Sequence, residues 1–219
     1  MKNKKLSKII IILLMIIIIV IGLNLIDEVK DLIKKPQNII NLNHKIDTIK
    51  LNLNNANIYV TKGKGKIKTS KNIKLKKENN ILIINSNEEK IDVFIETSNI
   101  ERLDIKALNS DIEIDDIYIN HLDINSDYLK LDLEDLKGSS LNVTSSKASI
   151  EIDDLYVDNS LIKSGAGTTK ISLEDNNIDA STSLGFIKYN GKKMTNLKID
   201  KGKYYINLKQ KLGKILIKD

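Results

Sequence analysis

The residues best placed to do chemistry are acidic and come in pairs. Asp115-Asp116, Glu134-Asp135 and Asp153-Asp154 recur every nineteen residues, and Glu174-Asp175 follows with a slip of two. Two chemistries suit paired carboxylates. Ca²⁺ takes about six to eight oxygens and accepts carboxylates from flexible turns, so these eight acids form a candidate metal ladder. Glycoside hydrolysis needs one acid and one base or nucleophile about 5–9.5 Å apart in a sugar-binding cleft. Here the pairs repeat alike instead of marking one place, and the chain has no Trp. Solvated turns explain the same pairs, with each Asp bonded to local backbone N–H groups and screened by salt. The G-G-x-G-x-D repeat that marks Ca²⁺ in a β-helix is absent, and the turn reading is preferred.

A second constellation is cationic. Lys62, Lys64, Lys66 and Lys68 open a run that continues through Lys77 with Glu78 as its one acid. Alternation with Ile67, Thr69, Ile73 and Leu75 predicts a strand pair over 62–77 with a cationic outer face. Such a face suits anionic lipid head groups or anionic wall polymers, and equally a plain solvated surface. Other candidates carry less. His44 and His121 stand far apart with no Cys, which disfavours zinc. The serines of 139–140, 145–146 and 181–183 lack a G-x-S-x-G frame and read as turns. Gly63-Lys-Gly-Lys66 and Ser164-Gly-Ala-Gly167 precede no helix and read as tight turns, not phosphate loops. No catalytic residue, cofactor site or small-molecule substrate emerges.

The elements that position these residues repeat. Ile112-Glu-Ile-Asp-Asp-Ile-Tyr-Ile119 returns as Ile150-Glu-Ile-Asp-Asp-Leu-Tyr-Val157, with Leu131-Asp-Leu-Glu-Asp-Leu136 midway, so the unit is nineteen residues. Stacking on that period gives aliphatic columns: Leu103, Leu122, Leu141; Ile105, Ile124, Val143; Ile112, Leu131, Ile150; Ile114, Leu133, Ile152; Ile117, Leu136, Leu155. Apolar and polar residues alternate within each unit, the pattern of short strands with one buried face. An all-β solenoid follows, because one turn cannot bury its inner face alone. An antiparallel sandwich would need frequent hairpin signals, and only Asn190-Gly191 is strong. Residues 46–219 suffice for about nine turns, although 46–100 fit the period poorly. The Lys-rich strands Tyr204–Leu208 and Lys214–Lys218 are expected to form a charged terminal edge.

Ahead of that domain, Ile9–Ile26 is eighteen residues without a charge, long enough as a helix to span roughly 27 Å of membrane. Small residues suited to signal cleavage are missing after it, so it is read as a retained signal-anchor. Lys2, Lys4, Lys5 and Lys8 keep the N-terminus cytoplasmic. The expected organisation is a basic tail (1–8), one transmembrane α-helix (9–26), a stalk (27–45) and an extracytoplasmic β-solenoid (46–219). Zero Cys excludes disulfide scaffolds and thiol chemistry. Four of the six net positive charges lie in the tail, so the basicity is no nucleic-acid signal. Residues 101–160 carry fifteen acids against five bases and are flanked by basic segments, which makes the domain basic, acidic, basic along its length.

Strands 49–53 and 57–60, the Ser110–Ile114 and Ala148–Ile152 units, the Ser164-Gly-Ala-Gly167 turn and the closing Thr182-Ser-Leu-Gly-Phe-Ile-Lys-Tyr-Asn-Gly191 together resemble the bacterial putative-adhesin domain of unknown function, over residues 46–217. The resemblance implies a right-handed single-stranded β-helix displayed outside a membrane, with no established enzyme activity or cofactor. Asp111, Asp132 and Ser149 or Ser172 depart from it, standing near positions where Gly is expected. The resemblance also links the chain to some similar proteins that are associated with envelope-stress regulation. The expected function is therefore a non-enzymatic, membrane-anchored adhesin or envelope-binding module, with a regulatory or structural role in the envelope stress response as the alternative. Its expected partners are the membrane, wall polymers, lipid head groups or a protein.

Overall fold

A computed structural model describes residues 38–218 apart from 43–45 and 72. The expected tail, membrane helix and most of the stalk lie outside the described residues, as does His44. Among the described residues there is no helix, and so none long and apolar enough to cross a membrane. Residues 37–219 form one compact unit.

That unit is all-β. Eleven strands run in chain order: β1 (Asn38–Asn41), β2 (Thr48–Thr61), β3 (Lys66–Thr69), β4 (Lys74–Glu78), β5 (Ile81–Ser86), β6 (Ile91–Glu96), β7 (Asn99–Ser172), β8 (Asn176–Tyr189), β9 (Lys192–Met194), β10 (Asn196–Ile199) and β11 (Tyr204–Lys218). The 74-residue β7 is a wound ribbon that makes four passes, beginning at Arg102, His121, Ser140 and Asn159. Side-chain bonds across successive passes join residues nineteen apart: Asn120 to Glu101, His121 to Ser140, Lys130 to Asp111, Asn142 to Asp123 and Lys170 to Glu151. The expected repeat is thus the physical coil, and its columns are the core. Leu103, Leu122 and Leu141 are buried, as are Ile105, Ile124 and Val143 and the members of the other three columns.

Both ends of the stack depart from chain order, which explains the poor periodicity of 46–100. β2 lies in parallel between β7 on one side and the β5–β6 layer on the other, with Ile49 facing both Leu103 and Leu82. At the opposite end β11 lies between the last pass of β7 and β8, with Ile206 facing both Ser160 and Ile178. Eight layers result among the described residues, in the order β5–β6, β2, four passes of β7, β11 and β8.

The expectation that Tyr204–Leu208 and Lys214–Lys218 form a terminal edge is therefore overturned. β11 is bonded on both sides, and alternation hides Ile206, Leu208, Ile215 and Ile217 while the lysines point out. Short antiparallel strands cover the outer layers instead. β4 covers β5, and β3 with β1 beyond it covers β6. β9 and β10 cover β8. β4, Lys-Leu-Lys-Lys-Glu, is exposed throughout, and such a charged edge resists strand addition. The expected Asn190-Gly191 hairpin forms, with φ of 48° and 76°. A second one turns at Asn79 with φ 52°.

Candidate functional site

The acid pairs sit where the ribbon turns. Asp115 ends the outer face of a pass, in register with Thr61, and Asp116 then takes φ 42°. Asp135 at 47° and Asp154 at 53° repeat this one coil later each time. Asp tolerates the left-handed region better than most residues because its short side chain bonds locally. The pair thus divides its labour: the first acid faces solvent and the second makes the bend. The fourth pair leaves the column. After Ser172 the chain must step over the layer occupied by β11, and neither Glu174 nor Asp175 is left-handed.

Acids stacked at about 4.8 Å repel one another, and the corner offsets this with nearby donors. Lys62 lies 3.5 Å from Asp116, and Lys137 donates to Asp135 at 2.7 Å. That bond, against some desolvation, raises the Lys137 pKa. The Tyr156 hydroxyl donates to Glu174 at 2.7 Å, and this bond first, then burial and the charges of Glu174, Asp154 and Asp135, pushes the phenol up to about 12. The backbone N–H of Lys203 reaches Asp175 at 3.2 Å. Asp154 keeps the strain: partial desolvation, then Glu174, Asp153 and Asp135, hold its carboxyl above the ordinary range. Among the described residues no three His, Cys, Asp or Glu are grouped to hold a metal ion. Sequence reading identified these acids but not their partners Lys62, Lys137 and Tyr156. Lys137, two residues beyond Asp135, was the available signal.

The Lys run gathers at the β3 end of the stack. Lys62 and Lys64 are exposed in the bend 62–65, and Lys66 and Lys68 lie on β3. Lys68 pairs with Glu96. The expected strand pair over 62–77 does not form, because β3 and β4 cover different arms of the outer layer. Gly63-Lys-Gly-Lys66 is the expected tight turn, with Gly65 at φ 73°.

His121 is structural: its Nδ1 lies 2.8 Å from Ser140 Oγ, and Glu101 stands 3.9 Å from its other nitrogen. Of the serines read as turn residues, Ser145 closes a corner, whereas 139–140 and 181–183 lie in strand. Ser126, Ser145 and Ser164 each donate to the carbonyl two residues ahead, on Tyr128, Lys147 and Ala166, at 3.0, 2.9 and 3.1 Å.

The family model described as Toastrack DUF4097 matches residues 40–215. A solved structure of a putative cell adhesion protein from Clostridium sporogenes is 16% identical, covering 84% of this chain and 99% of its own, with a TM-score of 0.48. A putative adhesin from Bacteroides fragilis is 15% identical over 82% of this chain and 95% of its own, with a TM-score of 0.42. No curated protein matches the chain in sequence.

Proposed function

We propose that this chain, which belongs to the Toastrack DUF4097 family, is a non-enzymatic binding module of adhesin type. In this reading residues 9–26 anchor it in the membrane with the N-terminus in the cytoplasm. A right-handed, single-stranded solenoid is then displayed outside, where its charged surfaces engage anionic polymers of the cell envelope. The observation that carries the reading is charge segregated along the stack. β3 and β4 bring lysines to one end, the passes between Glu101 and Ser160 are acidic, and Lys188, Lys214 and Lys218 make the other end basic. An enzyme requires a unique set of reacting groups, whereas each acid pair of β7 recurs one coil away at the same corner of the ribbon.

The test is a pull-down with residues 37–219 against purified wall polymers, matrix proteins and anionic vesicles at low and high salt. Saturable polymer binding that disappears at high salt, and weakens when Lys62, Lys64 and Lys66 become Gln, supports the reading. Failure with every ligand moves the assignment to a regulatory or structural role in the envelope stress response, exerted on membrane partners.

A further inference from the structure

Three corners distant in the chain come together in the stack. Register aligns Ser164-Gly-Ala-Gly167 with Gln210-Lys-Leu-Gly213, and that segment with Thr182-Ser-Leu-Gly185. Their closing glycines are required by close approach. A Cβ on Gly167 would lie 1.7 Å from the Ala148 carbonyl oxygen, one on Gly213 2.0 Å from that of Gly167, and one on Gly185 1.9 Å from that of Gly213. Only Gly permits so tight a corner. The residue before each glycine is left on the outside of the bend, so Leu212 and Leu184, partners in register, are 52% and 69% exposed.

Beside this apolar ridge runs a groove of about 450 Å³ lined by Lys163, Lys209, Lys211, Ser146, Ser181 and Ser183, with no acid among its lining residues. Lys209 stands opposite Lys163 on one side and Ser181 on the other. Like charges directly opposed across strands repel, and among the described residues none of the three lysines has an ion-pair partner. The groove therefore presents uncompensated positive charge and hydroxyl donors, the chemistry that holds a phosphate.

We infer that this corner docks on anionic lipid, with Lys163, Lys209 and Lys211 holding headgroup phosphate while Leu184 and Leu212 enter the interfacial layer. Cationic charge alone would serve a soluble phosphate polymer equally well. The adjacent leucines decide between them, since apolar side chains gain nothing from a solvated polymer and gain area burial at the boundary of head groups and acyl chains. The site lies away from the Lys62–Lys68 end and does not rest on the polymer-binding reading above. Its lysines meet only because β11 is inserted between β7 and β8.

The chain contains no Trp, so Leu184→Trp supplies a single indole. The full-length variant is reconstituted in phosphatidylcholine vesicles with or without phosphatidylglycerol. The expected result is blue-shifted emission, quenched by brominated acyl chains, only where phosphatidylglycerol is present. Adding Lys163→Gln, Lys209→Gln and Lys211→Gln should abolish it, the docked fraction falling roughly 100-fold at about fivefold per charge. Adding Lys62→Gln and Lys64→Gln should leave it intact. Unshifted emission with phosphatidylglycerol overturns the inference, as does an equal shift from Tyr118→Trp beside the acidic corner. The same shift produced by inorganic polyphosphate without phosphatidylglycerol also overturns it and makes a soluble phosphate polymer the ligand.

Discussion

At the residue scale, Asp154 carries the unrelieved charge of the acidic corner. A carboxyl held above its ordinary pKa favours the fold below that ordinary value and loses its contribution as pH rises through the raised one. Asp154→Asn removes the charge and still tolerates φ 53°. The variant should melt roughly 1–3 °C higher at pH 7, a gain that vanishes near about pH 3, as followed by circular dichroism. Because Lys62, Lys137 and Tyr156 already face the neighbouring acids, millimolar Ca²⁺ or EGTA should leave the thermal midpoint of the protein unchanged. A drop in EGTA would restore the metal ladder. Ser160 poses a different cost: it is buried between layers in a column of Leu and Ile, and its hydroxyl has no partner. Ser160→Ala should raise stability by about 1 kcal/mol, or roughly 2–4 °C.

At the element scale, β11 should behave as core. Amides of Ile206, Leu208, Ile215 and Ile217 are expected to exchange as slowly as those of Ile114 and Leu133, whereas β4 exchanges fast, which native-state hydrogen exchange by mass spectrometry would resolve. The central coils were legible in the sequence because β7 stacks on itself, so that pairing distance equals the repeat and Leu103, Leu122 and Leu141 fall into line. The ends were illegible for a topological reason. Ile49 pairs with Leu103 at a separation of fifty-four residues and with Leu82 at thirty-three, and no single period contains both. Lys-rich β11 reads as an edge from composition, since period-two alternation describes one buried face and is silent on how many neighbours a strand has. The acidic corner was half visible. Its acids repeat, but Lys137 and Tyr156 occupy equivalent positions in successive coils with unlike side chains, so repetition could not reveal them. Lys163 and Lys209 were hidden altogether, because they belong to different strands.

At the scale of the whole molecule, basic ends flank an acidic middle, so neighbouring molecules can align with opposite charges facing. Static light scattering on residues 37–219 should show net attraction at about 0.01 M salt, where the screening length is about 30 Å, and its loss near 0.15 M, where it is about 8 Å. The insertion of β11 also sets a timetable. Residues 176–199 are synthesised before residues 204–218, yet β8 stacks on β11 and not directly on β7. While the chain emerges in order, the four passes of β7 can wind layer upon layer, but β8 has nothing to settle on until β11 has slipped in ahead of it. Maturation therefore ends with a joint closure of two strands, and until that moment the segment from β8 to β11 stays open to proteases.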